Sequence, residues 1–208
     1  MHVDLIVIGG GEHARVVLEA AQTDRHSWRI VGFVDPNGCG ETVARLGVRR
    51  LGDDSALCEY PVASAILGFG SLPKSNTRMA ALERLSVLVL DWATVVHGDA
   101  WVSPTASIGE GTVVMAGAIV QTGARIGAHV IVNSRVVLEH DVMIGDHVQL
   151  APGAVIGGGT TIGRGAYIGL GASVRDHITI GDGAIVGMGS AVVKDVPPNA
   201  VVMGGRAR

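Results

Sequence analysis

His140 and Asp141 stand side by side in the second half of the chain. An imidazole beside a carboxylate is suited to taking a proton near neutral pH. Histidine titrates there, and the carboxylate orients the ring and raises its basicity. The same two residues would also make a plain solvated pair. A second set suits phosphate and sugar. Gly9-Gly10-Gly11 follows the apolar run Leu5-Ile6-Val7-Ile8 and opens a helical stretch, the geometry that seats a phosphate on a helix N-terminus. Asp35 ends the next strand, where a carboxylate can bind ribose hydroxyls, a pattern that would suit a dinucleotide equally. Cys39 and Cys58 form no metal or redox motif and are read as free thiols.

What positions His140 is a repeat. From Val96 to Val192 an aliphatic residue returns at every sixth position, through Val120, Ile126, Val132, Leu138, Ile144 and Leu150. Four places after each sits Ala, Val, Thr, Ser or Ile, and the residue just after is often Gly, as in Ile126-Gly127 and Ile144-Gly145. A period of six fits neither a helix, at about 3.6, nor an alternating strand, at about 2; it fits a coil that turns a corner every six residues, a β-helix. Three hexads make one triangular coil of eighteen residues, rising one strand spacing of about 4.8 Å. The seventeen hexads then give roughly 5–6 coils and a prism on the order of 25 Å long. His140 falls two places after Leu138, at a corner where side chains project outward. His129 and His147, eighteen residues apart, should stack in successive coils. The last coil has an open edge. Lys194-Asp195-Val196-Pro197-Pro198 is suited to closing it, since proline ends strand pairing.

The first ninety or so residues read differently. Leu5–Ile8 is a buried strand, and a helix follows with Ala14, Val17, Leu18 and Ala21 on one face. Trp28–Val34 reads as a strand ended by Asp35-Pro36-Asn37-Gly38. Ala63–Phe69 reads as another, then a helix near Asn76–Leu85, then a fourth strand at Ser86–Leu90. This alternation argues for a small parallel α/β sheet. The expected organisation is therefore a Rossmann-like α/β domain over residues 1–91 and an all-β parallel β-helix of hexapeptide repeats over residues 92–208.

Composition agrees. The chain is 48 % hydrophobic but only 3 % aromatic, as a narrow coil interior without room for rings requires, and its 31 glycines suit repeated corners. A net charge of −3 gives no sign of nucleic-acid binding. Apolar stretches are short or broken, so no membrane insertion is expected. Met1-His2-Val3-Asp4 lacks a basic region followed by an apolar run, so no signal peptide is read and a cytoplasmic location is expected.

The hexad register resembles the left-handed β-helix acyltransferases. Ile8-Gly9-Gly10-Gly11-Glu12-His13-Ala14-Arg15-Val16-Val17 resembles the Gly-rich turn of the bacterial sugar O-/N-acyltransferases of the sialic-acid O-acetyltransferase (NeuD-like) family. Asn133-Ser134-Arg135-Val136-Val137-Leu138-Glu139-His140-Asp141 resembles the catalytic segment of that family. The family also holds N-acetyltransferases that act on nucleotide-linked amino sugars, and the match covers nearly the whole chain. The resemblance implies acetyl transfer from acetyl-CoA to a sugar amine or hydroxyl, with no metal, by a homotrimer whose active sites lie between subunits. It makes His140 the general base, Asp141 its orienting partner and Asn133 a residue lining the site. Gln149 stands where the family often has a second His that contacts the donor; an amide can still donate a hydrogen bond but carries no charge. Gly158, Leu170 and Met188 match donor-contacting positions, although the family often has Gly where Met188 stands. Lys194, with Arg164, Arg175, Arg206 and Arg208, offers cations for the phosphates of coenzyme A. On the substrate side the resemblance assigns the nucleotide sugar to Gly10, Gly11, His13, Asp35 and Gly68. Glu12 stands where the family usually has Gly, and the loop from Gly68 to Arg78 is longer than usual.

N-acetylation of a nucleotide-linked amino sugar is the leading expectation. O-acetylation of sialic acid or another glycan hydroxyl is the alternative, and a non-catalytic sugar-nucleotide-binding scaffold is a third. A zinc lyase is the fourth, but the spacing of His129, His140 and His147 does not match the three-histidine site of gamma-class carbonic anhydrases.

Overall fold

The apolar run near the N-terminus becomes an interior strand of a four-stranded parallel sheet. Strands β1 (Asp4–Ile8), β2 (Arg29–Val34), β3 (Arg50–Gly52) and β4 (Ser64–Leu67) lie in the order β3-β2-β1-β4. All of β1 but its first residue is buried, as the unbroken run Leu5–Ile8 requires of a strand covered on both faces. Helix α1 (Glu12–Thr23) follows β1 and buries Ala14, Val17, Leu18, Ala20 and Ala21; helix α2 (Thr77–Leu85) buries Ala81 and Leu85. The computed structural model describes residues 3–24, 28–37, 46–70, 73, 75–89 and 91–204; Gly38, Cys39, Leu90, Arg206 and Arg208 lie outside them. The chain divides into two compact units, Met1–Gly98 and Asp99–Arg208.

Two details differ from the sequence-based expectation. Ser86–Leu88 form a turn, not a strand: the Ser86 N–H caps α2 on Glu83 O, and Leu88 and Val89 bond back to Leu85 O. A parallel bridge at Trp92 pairs with Ala65 instead. The outer strand β3 was not anticipated, because three residues without apolar alternation carry no strand signal.

In the second unit the two-residue strands pair in parallel, and in register, with the strand eighteen residues away, except at the C-terminal end, where Val201–Val202 pairs sixteen residues back. Arg125 and Ile126 face Ser107 and Ile108 on one side, and Met143 and Ile144 on the other. Three faces result. The strands at 107–108, 125–126, 143–144, 161–162 and 179–180 make one; those at 119–120, 137–138 and 155–156 belong to the second; those at 131–132, 149–150 and 167–168 belong to the third. The repeat's aliphatic residues point inward, none more than 5 % exposed from Val114 to Val192. The small residues four places on are buried with them. Where that position is Thr its hydroxyl is satisfied: Thr112 donates to Gly127 O and Thr160 to Arg175 O.

Glycine serves the corners in two ways. At Gly127, Gly145 and Gly163 a Cβ would run into the backbone of the next coil at 2.5–2.9 Å. At Gly111, Gly123, Gly159 and Gly165 the backbone is left-handed, and His129, Asp141, His147 and His177 adopt that same conformation with φ between 53° and 61°. Histidine and aspartate are among the few side chains that tolerate it. The end of the ladder differs from expectation: Pro197 and Pro198 do not terminate it, since Val201–Val202 pairs with Ile185–Val186 beyond them. Among the described residues no helix is long and apolar enough to cross a membrane.

Candidate functional site

The corner between strands 137–138 and 143–144 carries the His–Asp pair. Leu138 turns inward, Glu139 N–H bonds Ile156 O, and Asp141 N–H bonds Thr122 O, so the chain is held by the coils on either side. His140 Nδ1 lies 3.0 Å from Asp141 Oδ2, and the two side chains are 54 % and 71 % exposed. A carboxylate only accepts, so Nδ1 is the donor, and in the neutral ring that leaves the lone pair on Nε2. The ring edge rests on the next coil: a Cβ on Gly158 would lie 2.6 Å from His140 Nε2. On the preceding coil a Cβ on Gly123 would overlap the Asp141 carboxylate. Both glycines lie eighteen residues from the side chain they admit. That register is the signal from which Gly123, which the sequence reading missed, could have been found.

Three of the other expected residues of this unit, Asn133, Leu170 and Met188, occupy a different edge. Asn133 lies at the corner before strand 137–138, its Oδ1 accepting from Ser134 N–H at 2.9 Å. Leu170 and Met188 lie along that same edge in later coils, 49 % and 73 % exposed. Gln149 is half-buried on the strand that leads into it. Gly158 stays with His140, and Lys194 follows Val192 as His140 follows Leu138, on the edge of the pair, with its side chain exposed. One chain therefore carries the constellation as two edges separated by a β face. His129 and His147 stack with centroids 5.5 Å apart and planes within 3°. Among the described residues no three metal-ligating side chains converge.

In the first unit the Gly-rich turn is closed by the strand beside it. Gly9, at φ 99°, bonds Val34 O through its N–H, and Gly10 N–H bonds Asp35 Oδ2 at 2.8 Å. Asp35 Oδ1 accepts from Asn37 N–H at 2.8 Å, and Arg50 donates to the Asp35 carbonyl. Gly11 caps α1 without a side chain, so the first N–H groups of that helix have no side-chain acceptor there. Gly9, Gly11, Asp35 and Asn37 border a cavity of about 420 Å³, lined also by Ile8, Val34, Phe69, Asp54 and Arg84. Gly11 and Asp35 thus face one space, and Gly10 is not among its lining residues. Glu12 is exposed.

Gly68 and His13 have other surroundings. A Cβ on Gly68 would meet Val7 Cγ1 at 2.6 Å and Ala14 Cβ at 2.9 Å, so this glycine lets α1 close onto the sheet. His13 has its Nε2 buried with no hydrogen-bond partner. Burial, with the Arg78 guanidinium beside it, pushes its pKa down to about 4, so the ring is neutral at pH 7. Arg78 is itself buried, which lowers it to about 10, and it donates to Phe69 O. Phe69 belongs to the loop from Gly68 to Arg78 that the resemblance assigns to substrate, but Asp54 and Arg84 were not anticipated. They come from segments far apart in the chain, with no spacing that links them.

Residues 4–85 match the family described as PglD N-terminal domain, and residues 123–158 the family described as bacterial transferase hexapeptide (six repeats). Among curated proteins none matches the chain. Solved structures do. The acetyltransferase domain of PglB from Neisseria gonorrhoeae FA1090, in complex with acetyl coenzyme A, is 32 % identical with a TM-score of 0.83, over 100 % of this chain and 99 % of that one. PerB from Caulobacter crescentus, in complex with CoA and GDP-perosamine, is 31 % identical with a TM-score of 0.86, over 99 % and 96 %. WeeI from Acinetobacter baumannii AYE, at 24 % identity and a TM-score of 0.81 over 100 % and 99 %, shares the fold. That fold is a small parallel sheet followed by a left-handed parallel β-helix.

Proposed function

Because the chain belongs to the family of hexapeptide-repeat acetyltransferases that carry a PglD-type N-terminal domain, we propose that it N-acetylates an amino sugar linked to a nucleoside diphosphate, with acetyl-CoA as donor. The sugar nitrogen attacks the thioester carbonyl while His140 Nε2 takes its proton. The N–C bond forms, the C–S bond breaks, and coenzyme A leaves as a thiolate that takes the proton back from the imidazolium. A thioester is already activated, so no acyl-enzyme is needed. Asp141 accepts from Nδ1–H, holds the tautomer and stabilises the imidazolium. The observation that carries this reading is the 3.0 Å Nδ1–Oδ2 contact at an exposed corner, with Nε2 lying over Gly158.

The cavity beside Gly11 and Asp35 takes the nucleotide, its phosphates on the uncapped start of α1. The functional unit is a homotrimer. The edge bearing Asn133, Leu170 and Met188 in one subunit faces the His140 edge of the next, and coenzyme A lies between them with Gln149 and Lys194 at its contacts. The setting is the cytoplasm, where acetyl-CoA is made.

Release of CoA thiol from acetyl-CoA tests the reaction, against UDP- and GDP-linked 4-amino sugars and a hydroxyl-only sialic acid, with the wild type and His140→Ala. Turnover on one amino sugar that vanishes in the variant is the expected result. Turnover on the sialic acid alone would move the assignment to O-acetylation, and full activity of His140→Ala would remove the base. Light scattering at micromolar concentration should give a trimer; a monomer would contradict the shared site.

A further inference from the structure

On the edge that carries Asn133, the corners from Met115 onward read Met115-Ala116-Gly117, Asn133-Ser134-Arg135, Ala151-Pro152-Gly153, Gly169-Leu170-Gly171 and Gly187-Met188-Gly189. Only the second has side chains that bear an N–H or O–H, and it stands in the coil of His140. Its third residue is also the one that is not glycine. Arg135 has φ 56°, where Gly117, Gly153, Gly171 and Gly189 have 60–73°. Among the described residues, the other non-glycine residues with positive φ are histidine, aspartate or asparagine, which tolerate it. Arginine does not share that tolerance. It cannot relax, because its N–H bonds Ala116 O and the Gly153 N–H bonds Ser134 O. Strain that neighbouring coils hold in place is characteristic of functional positions. The free groups of this corner are donors. Asn133 Oδ1 is taken by the Ser134 N–H, which leaves the amide N–H groups to donate elsewhere. The Arg135 side chain is exposed and pairs with no carboxylate among the described residues. A Cβ on Gly117 would lie 3.4 Å from Arg135 Cγ, so the side chain leans toward the earlier coil, away from Leu170 and Met188.

We propose, resting on the nucleotide-sugar reading above, that this corner grips the acceptor's sugar-bearing phosphate, with Arg135 as the main contact. A guanidinium fork flanked by amide and hydroxyl donors matches phosphate oxygens. The phosphate on the nucleoside side is left to the start of α1. Coenzyme A does not compete for this corner. With its thioester at His140, its phosphates lie a whole pantetheine arm away along the later coils, whereas the acceptor's phosphate is one sugar ring from the attacking amine. A cyclic trimer keeps equivalent coils at equal height. The Asn133–Arg135 corner of one subunit therefore stands level with His140 of the partner subunit.

Steady-state CoA thiol release by the full chain tests this, using the UDP- or GDP-linked amino sugar that turns over, in the wild type, Arg135→Gly and Arg135→Lys. Arg135→Gly removes the guanidinium and restores the residue type of the other corners, so its Tm should be no lower than that of the wild type. Its KM for the sugar nucleotide should rise roughly ten- to hundredfold. Inhibition by the matching free diphosphate, UDP or GDP, should weaken by a similar factor, and KM for acetyl-CoA should stay. Arg135→Lys keeps the charge without the fork and should fall between. An unchanged KM for the sugar nucleotide in either variant would overturn the inference and leave the acetyltransferase reading standing. A rise in KM for acetyl-CoA instead would put the arginine on the donor, and a monomer by light scattering would make it a subunit contact; either removes the phosphate assignment. No turnover on any amino sugar by the wild type, with no calorimetric binding of UDP or GDP, would overturn the nucleotide-sugar reading and this inference with it.

Discussion

Gly158→Ala separates the placement of His140 from the stability of the coil. The added methyl would lie 2.6 Å from Nε2 and 2.7 Å from Cε1 of His140. Ordinary contact between such atoms begins near 3.5 Å, so the ring must withdraw by about 0.9 Å. Gly158 is not in the left-handed region, so alanine imposes no backbone strain there. His140 is half exposed and can swing outward for roughly 0.5–1.5 kcal/mol of rotamer cost. Folding should therefore lose little, a fall in Tm of about 2–4 °C. Catalysis should lose much more, since a displacement near 1 Å costs about a hundredfold. The assay is steady-state CoA thiol release with thermal unfolding beside it. A displaced base lowers kcat; a lost donor contact at Gly158 would instead raise KM for acetyl-CoA. Gly165→Ala is the control. Its φ is 66° and nothing lies within 4 Å of the new Cβ, so it should lose about 1 kcal/mol of stability and keep its kcat. Wild-type kcat in Gly158→Ala would refute the assignment of the base to His140 in this seat.

Asp141→Asn keeps a residue type that tolerates φ 58° but removes the carboxylate on Nδ1. Its kcat should fall at least about tenfold with Tm nearly unchanged, and equal kcat would deny Asp141 its orienting role. His13 makes the protein acid-sensitive. Above pH 6.5 neither folded nor unfolded chain protonates it, but between 6.5 and about 4 the unfolded chain binds a proton that the folded chain refuses, so stability falls, by at most a few kcal/mol. His13→Gln should remove that part of the Tm loss on acidification; identical slopes in the two proteins would locate it elsewhere. Asp35→Ala leaves the Gly10 and Asn37 N–H groups without their acceptor. It should cost roughly 1–3 kcal/mol and weaken nucleotide binding, and calorimetry showing wild-type affinity would exclude Asp35 from the pocket. Leu150→Ala, at a fully buried position of the coil interior, should cost about 2–5 kcal/mol by denaturant unfolding, and a cost under 1 kcal/mol would contradict the close-packed interior.

The hexad determined the β-helix without help from tertiary information, because which residue points inward is a local rule repeated at every corner. The aliphatics from Val114 to Val192 are all buried, and the His–Asp pair was legible for the same reason, two places after an inward Leu138. Ser86–Leu90 shows the limit of local reasoning. Its apolar run favours a strand, but Ser86 and the two bonds to Leu85 O are spent on ending α2. The same eighteen-residue register carries the contacts of Gly158 with His140 and of Gly123 with Asp141. Two things came only from the tertiary structure. The corner geometry put Asn133 and His140 on different edges. The cavity was assembled from Gly11, Asp35, Asp54 and Arg84, which share no period and meet only because four segments end around one sheet. A repeat writes its neighbours into the sequence; an open α/β sheet brings together residues whose spacing in the chain carries no information about their contact.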